Sequence, residues 1–489
     1  MISLKPLSND LCQCPRCGSN LTGGDVLITG MRNLLDASCE PCRASYYADL
    51  PSGHAIFSPV AIDKYTGEVF DPTNARWFSA ILVRSVKDKQ PEPVSIAFHR
   101  TQRHPKIVLL NCLDYLYGHC LLKLLNAQYY IDHRPEVACC VLVPKQLIHL
   151  VPDGVAEVWE VDLPLKNFRN WYISLEQQIR AEIDARETCY LSVAHSHPHA
   201  SRYDLNRFTK VSPKPTKGID SSPVIVYVYR EDRLWGVSLT HQTKNISNLY
   251  ERLRLAFPTL TFIVAGFGDG GAFTQGIVDE RSTCFSLEQE QRWLELYASA
   301  DCVVGVHGSN MLLPSGLAAH VVELLPEDRL GNITQDLLWP DTYTTGNEAL
   351  YRVRFLVGRT DLHDVRSNLV ASVVIHQLAA EQTFTSAATA SLLPVDDRTG
   401  IFDTGPLVQR ASEDRLTQLR IVRGYRSRLL QHPLTRLGFQ MYQLKMLMGS
   451  AMKRELLSLA VNVCMATPRW YSIEKSIKRL RAPKGSRSL

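Results

Sequence analysis

The chain has 489 residues, of which 45% are hydrophobic and 21% are charged, so it has room for several globular domains with large cores. The first ten residues lack the basic-then-apolar pattern of a signal peptide, and no run of about 18 apolar residues predicts a membrane span. Thirteen cysteines, several of them inside apolar runs, favour reduced cytosolic thiols over a disulfide framework. These properties argue against secreted and membrane-spanning classes and predict a cytoplasmic protein.

Two Cys-x-x-Cys pairs lie near the N-terminus, separated by 21 residues. Each pair can place two thiolates on one tetrahedral ion, and Gly18 permits a tight turn after the first pair. We therefore expect a zinc-ribbon-like module at residues 1–55 that holds structural zinc and needs the metal to fold. Cys12 is a further thiol nearby, which leaves the choice of ligand at the first pair open. The expected ligands are Cys14, Cys17, Cys39 and Cys42.

Apolar strand-like runs alternate with helical stretches from residue 106 onward, which is typical of parallel sheets with crossover helices. The alternation predicts two Rossmann-like domains, at 56–215 and 216–380, joined by a lysine- and proline-rich linker at 210–217. A linker and a basic helical tail should follow at 381–489. The predicted strands are 107–110, 137–143, 155–161, 223–229, 260–265, 302–306, 320–325 and 353–357. The predicted helices are 115–130, 170–187, 246–257, 285–300 and 314–319.

Polar side chains stand where two strands of the second domain end. Arg230 and Arg233 follow one strand, and arginine there can bind phosphate oxygens through two parallel hydrogen bonds. Another strand is followed by small residues that permit close approach to a ligand and by a histidine that can donate to an oxyanion. That loop consists of His307, Gly308, Ser309 and Asn310. Because ligands of open α/β sheets bind at the carboxyl ends of strands, these residues predict a nucleotide site.

Glu323 lies inside the apolar run of a predicted strand, where an unpaired carboxylate is costly. A pair of sugar hydroxyls is one partner for it, and a buried arginine or a backbone amide is the alternative. Gly266–Gly271 matches the bare glycine spacing of a dinucleotide fingerprint, but no clear helix opens on its last glycine, so nicotinamide binding is not favoured. The alternating histidines of the loop 194–200 also favour a plain loop over a metal site.

Together these residues resemble the donor-binding half of family 61 glycosyltransferases. The resemblance covers roughly residues 105–360 and is most specific over Ala298–Pro326. A second segment, Tyr117–Leu122, resembles the family's Asn-Tyr-x-His motif, with Lys123 in place of the carboxylate that usually follows. The matching residues in the first segment are Asp301, Gly305, His307, Gly308, Ser309, Pro314, Gly316 and Glu323.

The resemblance implies an α/β, GT-B-like fold in which two Rossmann-like domains face a cleft, with the zinc ribbon and the basic helical tail as additions. It also implies an inverting hexosyl- or pentosyltransferase that needs no catalytic metal. Arg230, Arg233 and the loop after His307 would then stabilise the leaving diphosphate, and Glu323 would bind the ribose hydroxyls. His119 is the first candidate for the general base, with Asp114 and Asp132 as runners-up.

The expected substrates are a nucleotide sugar, with a UDP-sugar favoured, and a polysaccharide or glycolipid acceptor. Residues 410–489 hold 17 Lys and Arg against four Asp and Glu, interleaved with Leu, Met and aromatic residues. This pattern predicts contact with the anionic inner face of a membrane; a solvated helical face is the plain alternative, and nucleic acid is the less favoured partner. The alternative function is a non-catalytic zinc-ribbon adaptor that keeps the GT-B body as a scaffold.

Overall fold

The computed structural model describes residues 1–8, 11–194, 203–214, 222–332, 338 and 352–386, together with a short strand pair at 395–396 and 401–402. Of the linker and basic tail expected at 381–489, only residues 381–386 and the strand pair are described, and residues 195–200 of the histidine loop also lie outside the described residues. The chain forms two compact units, Met1–Lys210 and Val211–Leu489. The boundary between them falls inside the predicted linker.

Unit 1 contains two sheets and five α-helices among its described residues. Its strands are β1 (Ile2–Lys5), β2 (Thr22–Ile28), β3 (Asn33–Cys39), β4 (Ala44–Asp49), β5 (Ala61–Asp63), β6 (Val69–Phe70), β7 (Ile96–His99), β8 (Lys106–Asn111), β9 (Ala138–Pro144), β10 (Glu157–Val161) and β11 (Thr188–Leu191). Its α-helices are α1 (Arg76–Lys87), α2 (Tyr117–Leu125), α3 (Ala127–His133), α4 (Ile173–Asp184) and α5 (Leu205–Thr209).

The larger sheet of unit 1 has six strands in the order β1-β11-β8-β9-β10-β7. The four central strands are parallel, while β1 and β7 pair antiparallel at the two edges. The apolar runs at 107–110 and 137–143 form strands that are buried on both faces, as expected for a parallel sheet covered by helices. The chain moves from β8 outward to β10 and then returns to place β11 on the other side of β8, so the strand order reverses between β8 and β11.

The cysteine-bearing segment forms a five-stranded antiparallel sheet, β2 to β6, that extends to Phe70 instead of ending near residue 55. It shares its cores with other elements of unit 1, since its residues pack with helix α1 in one buried cluster and with the larger sheet in another. Leu21 and Tyr46 from this sheet pack in the same buried cluster as Leu142 and Trp159 from the larger sheet. The small sheet and the large sheet therefore belong to one folding unit.

Unit 2 contains one sheet of six parallel strands in the order β14-β13-β12-β15-β16-β17. The strands are β12 (Val224–Tyr229), β13 (Thr261–Phe267), β14 (Ile277–Ser282), β15 (Cys302–Val306), β16 (His320–Pro326) and β17 (Val353–Gly358). The α-helices are α6 (Leu239–Ala256), α7 (Leu287–Ser299), α8 (Leu312–Leu317) and α9 (Ser367–Ser386). Strands β18 (Val395–Asp396) and β19 (Ile401–Phe402) form a separate antiparallel pair.

The prediction of an α/β chain with two Rossmann-like units and an N-terminal four-cysteine cluster is confirmed. The helix predicted over 115–130 is wrong in one respect, because α2 and α3 are separated at Asn126. The Asn126 side-chain amide donates to the carbonyls of Leu122 and Lys123, and such local bonds compete with the helical backbone pattern. Among the described residues, no helix is both long enough and apolar enough to cross a bilayer.

Candidate functional site

The crevice of unit 2 lies where its strand order reverses, between β12 and β15. The chain runs outward from β12 to β14 and then returns to place β15 on the other side of β12. The two strands pair in parallel, with Val226 opposite Val303, so both leave the sheet at the same edge. Ligands of open α/β sheets bind at this topological position because the connections after the two strands diverge there. Arg230 follows β12 directly, and His307 follows β15 directly.

Arg230 and Arg233 both contact the loop after β15. The Nη1 group of Arg230 donates to Oδ1 of Asn310 at 2.6 Å, and Nη1 of Arg233 donates to the carbonyl of His307. The remaining edge of the Arg230 guanidinium donates from Nε and Nη2 to the two carboxylate oxygens of Asp232, at 2.7 and 2.6 Å. The structure therefore brings the two predicted arginines and the predicted loop into one cluster.

Gly308 lies directly beneath the two guanidinium groups. Its φ angle of 154° is one that L side chains rarely adopt, and a Cβ there would come within 2.0 Å of Nη1 of Arg230 and 2.8 Å of Nη1 of Arg233. Ser309 is half-buried and opens a single 3-10 turn, Ser309–Met311, that leads into α8. The absence of a side chain at Gly308 is what lets Arg230 reach the Asn310 side chain and Arg233 reach the His307 carbonyl.

Side chains of α6 hold the backbone of the loop that carries both arginines. The buried Gln242 side chain accepts from the amide of Trp235 at 2.8 Å and donates to the carbonyl of Arg230 at 2.9 Å. Trp235 is itself completely buried, and its indole N–H donates to the carbonyl of Val365 at 2.8 Å. Asn245 donates to the carbonyl of Trp235. These bonds hold Arg230 in place without a ligand, which lowers the entropy cost of binding an anion.

His307 and Glu323 form a buried pair beneath the loop. Nδ1 of His307 lies 2.6 Å from Oε2 of Glu323, and the two residues are 1% and 0% exposed. Burial raises the pKa of Glu323 well above its ordinary value, although the nearby Arg233 acts in the opposite direction. The expected contact of Glu323 with ribose hydroxyls does not fit this position, because the carboxyl group has no exposed surface. The contact that the structure shows for this carboxyl group is the one with the His307 ring.

The glycine-rich loop Gly266–Gly271 follows the second strand of the sheet, not the first. Oε1 of Glu231 accepts from the backbone amides of Asp269 and Gly270 at 2.9 and 2.8 Å. These bonds lower the pKa of Glu231, the amide of Gly270 most of all. The amides of this loop therefore already have an internal carboxylate as their acceptor.

His119 lies in a buried polar cluster of unit 1, close to the position where β8 and β11 end. His119 Nδ1 lies 3.3 Å from Oδ1 of Asp114 and 2.9 Å from Nε2 of His54. The ammonium of Lys123 donates to Oδ2 of Asp114 at 2.9 Å and to the carbonyl of Leu113 at 2.8 Å. We call His54, Asp114, His119 and Lys123 the histidine cluster.

The structure explains why a lysine stands at position 123, where the resemblance leads one to expect a carboxylate. Burial by itself raises the pKa of Asp114, but Lys123, followed by His119, outweighs burial and holds that pKa well below its usual range. Asp114 is therefore an anion that can orient and stabilise a protonated His119. The runner-up Asp132 lies elsewhere, bonded to Arg207 at 2.7 and 2.8 Å. The structure thus brings two of the three candidate bases together.

His54 was missed in the sequence because it belongs to a short 3-10 helix, Gly53–Ile56, far along the chain from His119. The only sequence signal was its place directly after Pro51-Ser52-Gly53, a turn motif whose glycine adopts a φ of 56°. His54, Asp114 and His119 each offer one ligand atom within 4.8 Å of the others, so they could hold a metal ion. Because Lys123 already neutralises Asp114, the arrangement favours a hydrogen-bonded acid–base group over a cation site.

The four predicted cysteines converge on one point. Their sulfur atoms all lie within 4.8 Å of one another; Cys14 Sγ lies 3.8 Å from Cys42 Sγ, and Cys17 Sγ lies 3.5 Å from Cys39 Sγ. Four thiolates about 2.3 Å from a central ion have edges of nearly this length, so the residues fit a tetrahedral metal such as zinc. Gly18 adopts a φ of 75° in the turn after the first pair.

Cys12 lies outside the four-cysteine cluster. Its thiol donates to the carbonyl of Asp49 at 3.5 Å, and burial, with the Asp49 carboxylate, raises its pKa to about 12. The sulfur atoms that lie within 4.8 Å of one another are those of the four predicted ligands, and the Cys12 sulfur is not among them. The ligand choice at the first pair is therefore Cys14 and Cys17.

No protein-family model and no curated protein matches the chain. Solved structures that are similar to it include the ADP-heptose LPS heptosyltransferase II of E. coli, with 12% identity, a TM-score of 0.35 and coverage of 56% of this chain and 99% of that one. A family 9 glycosyltransferase from Veillonella parvula shows 8% identity, a TM-score of 0.37 and coverage of 58% and 100%. The E. coli heptosyltransferase WaaC with ADP shows 13% identity, a TM-score of 0.34 and coverage of 55% and 99%. At these identities and TM-scores the similarities do not assign an activity to this chain.

Proposed function

We propose that this protein is an inverting glycosyltransferase that transfers a hexosyl or pentosyl group from a nucleotide sugar, with a UDP-sugar favoured, to a polysaccharide or glycolipid. One observation carries the proposal: Arg230 and Arg233 meet over Gly308 where the strand order of unit 2 reverses. This is the position at which an α/β sheet binds a nucleotide, and its two fixed cations suit a diphosphate.

Asp232 occupies the place that we assign to a phosphate. It accepts both parallel hydrogen bonds from the Nε and Nη2 edge of Arg230, and these bonds lower the pKa of Asp232. The carboxylate belongs to a side chain that is 72% exposed, so it can swing aside at little cost. A diphosphate offers the same pair of acceptor oxygens with more charge. Arg230 can therefore exchange an internal carboxylate for the donor substrate.

In this proposal the two arginines stabilise the diphosphate as it leaves the anomeric carbon. Charge develops on the bridging oxygen in the transition state, and preorganised cations are worth most at that moment. The mechanism therefore needs no catalytic metal. Glu323 supports the site indirectly by fixing the ring of His307.

The histidine cluster supplies the general base. His119 takes the proton from the acceptor hydroxyl, while Asp114 stabilises the imidazolium that results. His54 lies within hydrogen-bond distance of the same ring nitrogen and restricts its orientation. Lys123, which stands where a carboxylate is expected, keeps Asp114 ionised. The carboxylate that stabilises the protonated base is thus Asp114, and not the residue at position 123.

The remaining features fit this activity. We assign structural zinc to the four-cysteine cluster and place the enzyme in the cytoplasm. We also propose that the basic residues 410–489 bind an anionic membrane surface, where a glycolipid acceptor would be found. Sedimentation with vesicles containing phosphatidylglycerol tests this: deletion of 410–489 should abolish pelleting, and equal pelleting of both forms would refute it.

The donor assignment is tested by thermal-shift and hydrolysis measurements with UDP-, ADP-, GDP-, CMP- and dTDP-sugars. We expect one donor class to raise the melting temperature of the parent and to be turned over, and both effects to disappear in Arg230→Ala and Arg233→Ala. Arg254→Ala, at an exposed residue of α6 paired with Glu251, is the matched control and should behave like the parent. No response to any nucleotide would favour the non-catalytic adaptor.

A further inference from the structure

Trp77 is exceptional among the tryptophans of the described residues. Its side chain is 50% exposed, while the other four are almost completely buried. These four are Trp159, Trp171, Trp235 and Trp293. An indole left half in water keeps a large apolar face available for contact. Isolated exposed apolar residues are common on protein surfaces, so the significance of Trp77 depends on its neighbours.

The ring of Trp77 lies against the histidine cluster. Its centroid is 5.3 Å from that of His54, with the two rings perpendicular at 90°. The His54 ring in turn lies 4.2 Å from the ring of His119. Trp77 is thus separated from the candidate base by a single side chain. None of the other exposed large hydrophobic residues among the described part of the chain has a recorded ring contact with this cluster.

The Trp77 ring is supported by a neighbouring buried aromatic ring. Its ring packs on Phe78 at 5.2 Å, and Phe78 is buried and lies under the Arg32 guanidinium at 3.4 Å. Arg32 is held by the buried carboxylate of Asp49 at 2.6 Å. A ring held in this way loses little conformational freedom when a ligand covers it. Such a rigid aromatic surface is suited to binding a flat partner.

Leu116 adds a second exposed apolar group beside the same cluster. It is 40% exposed and precedes α2, and its carbonyl accepts from the amide of His119 at 3.0 Å. Trp77 thus contacts the cluster through its ring, and Leu116 precedes α2, the helix that carries His119. The exposed Trp77 ring therefore lies next to histidines whose ring nitrogens can bond to hydroxyls.

We propose that Trp77 is the stacking surface for a saccharide ring of the acceptor. Sugar rings carry C–H groups on one face and hydroxyls at their edge; the C–H groups are attracted to the negative face of an indole, while the hydroxyls reach polar groups beside it. At this site His54 and His119, each 7% exposed, are those groups. The inference rests on the proposed function, because it names the acceptor class for the same base.

The test uses the full chain labelled with 5-fluorotryptophan. The Trp77 resonance in the 19F spectrum is assigned by its loss in Trp77→Phe. The probes are maltose, cellobiose, lactose and N,N′-diacetylchitobiose at millimolar concentration, with octanoate as a probe for acyl chains. We expect at least one disaccharide to shift the Trp77 resonance saturably. Tyr65→Ala, at an 81% exposed aromatic residue, is the matched control and should leave the shift unchanged.

If no disaccharide shifts the resonance, or if octanoate alone does, the saccharide subsite is refuted. A disaccharide shift together with no nucleotide-sugar binding would refute the proposed donor function and leave the subsite standing. In the active enzyme, Trp77→Ala should raise the KM for acceptor about tenfold with the donor Kd unchanged, since one stacking contact is lost. Trp77→Phe should recover most of this effect. An unchanged KM in Trp77→Ala would also overturn the proposal.

Discussion

Gly308 offers the sharpest test of the donor site, because one added methyl group should displace both arginines. In Gly308→Ala the new Cβ would lie 2.0 Å from Nη1 of Arg230 and 2.8 Å from Nη1 of Arg233. Both atoms are at the far ends of flexible side chains, so the guanidinium groups can move away. The backbone φ of 154° adds strain for any residue other than glycine.

The expected effects differ in size for binding and for stability. Hydrogen bonds to charged groups contribute about 1.5–3 kcal/mol each, so misplacing two guanidinium groups should cost about 3–6 kcal/mol of donor binding. At about 1.4 kcal/mol per factor of ten, the donor Kd should rise by at least about 100-fold. The free energy of unfolding should fall by only about 1–3 kcal/mol, the usual cost of backbone strain.

Isothermal titration with the donor and chemical unfolding of the same variant separate the two effects. Gly67→Ala is the matched control, because Gly67 also has a positive φ, of 72°, but nothing lies within 4 Å of its added Cβ. It should lose some stability and bind the donor as the parent does. If Gly308→Ala binds the donor as tightly as the parent, the two arginines do not hold the diphosphate and the assignment of the site is wrong.

Three further predictions concern buried charges and the metal. Asp114→Asn leaves Lys123 without its carboxylate and should lower the free energy of unfolding in urea by about 3–5 kcal/mol. Since the folded-state pKa of Asp114 is lowered, its contribution to the free energy of unfolding is present above the pKa of the unfolded chain, near 4, and is lost as the pH falls. Equal loss of stability in acid for parent and variant would contradict this. Burial raises the folded-state pKa of Glu323, so the contribution of this carboxyl group to the free energy of unfolding is present at low pH and lost as the pH rises. In thermal unfolding, the melting temperature of Glu323→Gln should therefore fall less than that of the parent between pH 5 and 9. Identical profiles would argue against this. Cys17→Ser should lower the metal content by mass spectrometry and the melting temperature of unit 1, whereas Cys284→Ser, at an exposed cysteine outside the cluster, should change neither.

The sequence predicts the strands of the parallel sheets well because they are continuous apolar runs. The run predicted at 302–306 agrees with β15 at both ends, since Asp301 and His307 interrupt it sharply. The elements that were missed carry weaker signals. β14 is a polar edge strand, and α1 begins at Arg76 with no side-chain cap at Ala75. Strand β14 lacks the apolar alternation of a half-buried strand, whereas α1 buries Phe78, Ile81 and Leu82 at helical spacing and lacks only a start signal.

Some contacts in the candidate sites could be predicted from the sequence, and others could not. Arg230 and His307 could be related from sequence because each directly follows a strand, and parallel strands share an edge. The pairing of Glu323 with His307 and of His54 with His119 depends on side-chain packing between distant segments, which no local pattern records. Lys123 shows the same limit, since its role depends on a carboxylate nine residues earlier.

Strand β1 has a consequence for the order in which unit 1 is completed during synthesis. Its partner is β11, with Ile2 opposite Leu191, so the strand of that sheet that is synthesised first pairs with the strand that is synthesised last. At about 5–20 residues per second, β1 must wait about 10–40 s for its partner. The four cysteines are all made within the first quarter of that interval. Metal binding can therefore precede sheet closure and hold the nascent chain in a compact form while the rest of unit 1 is translated.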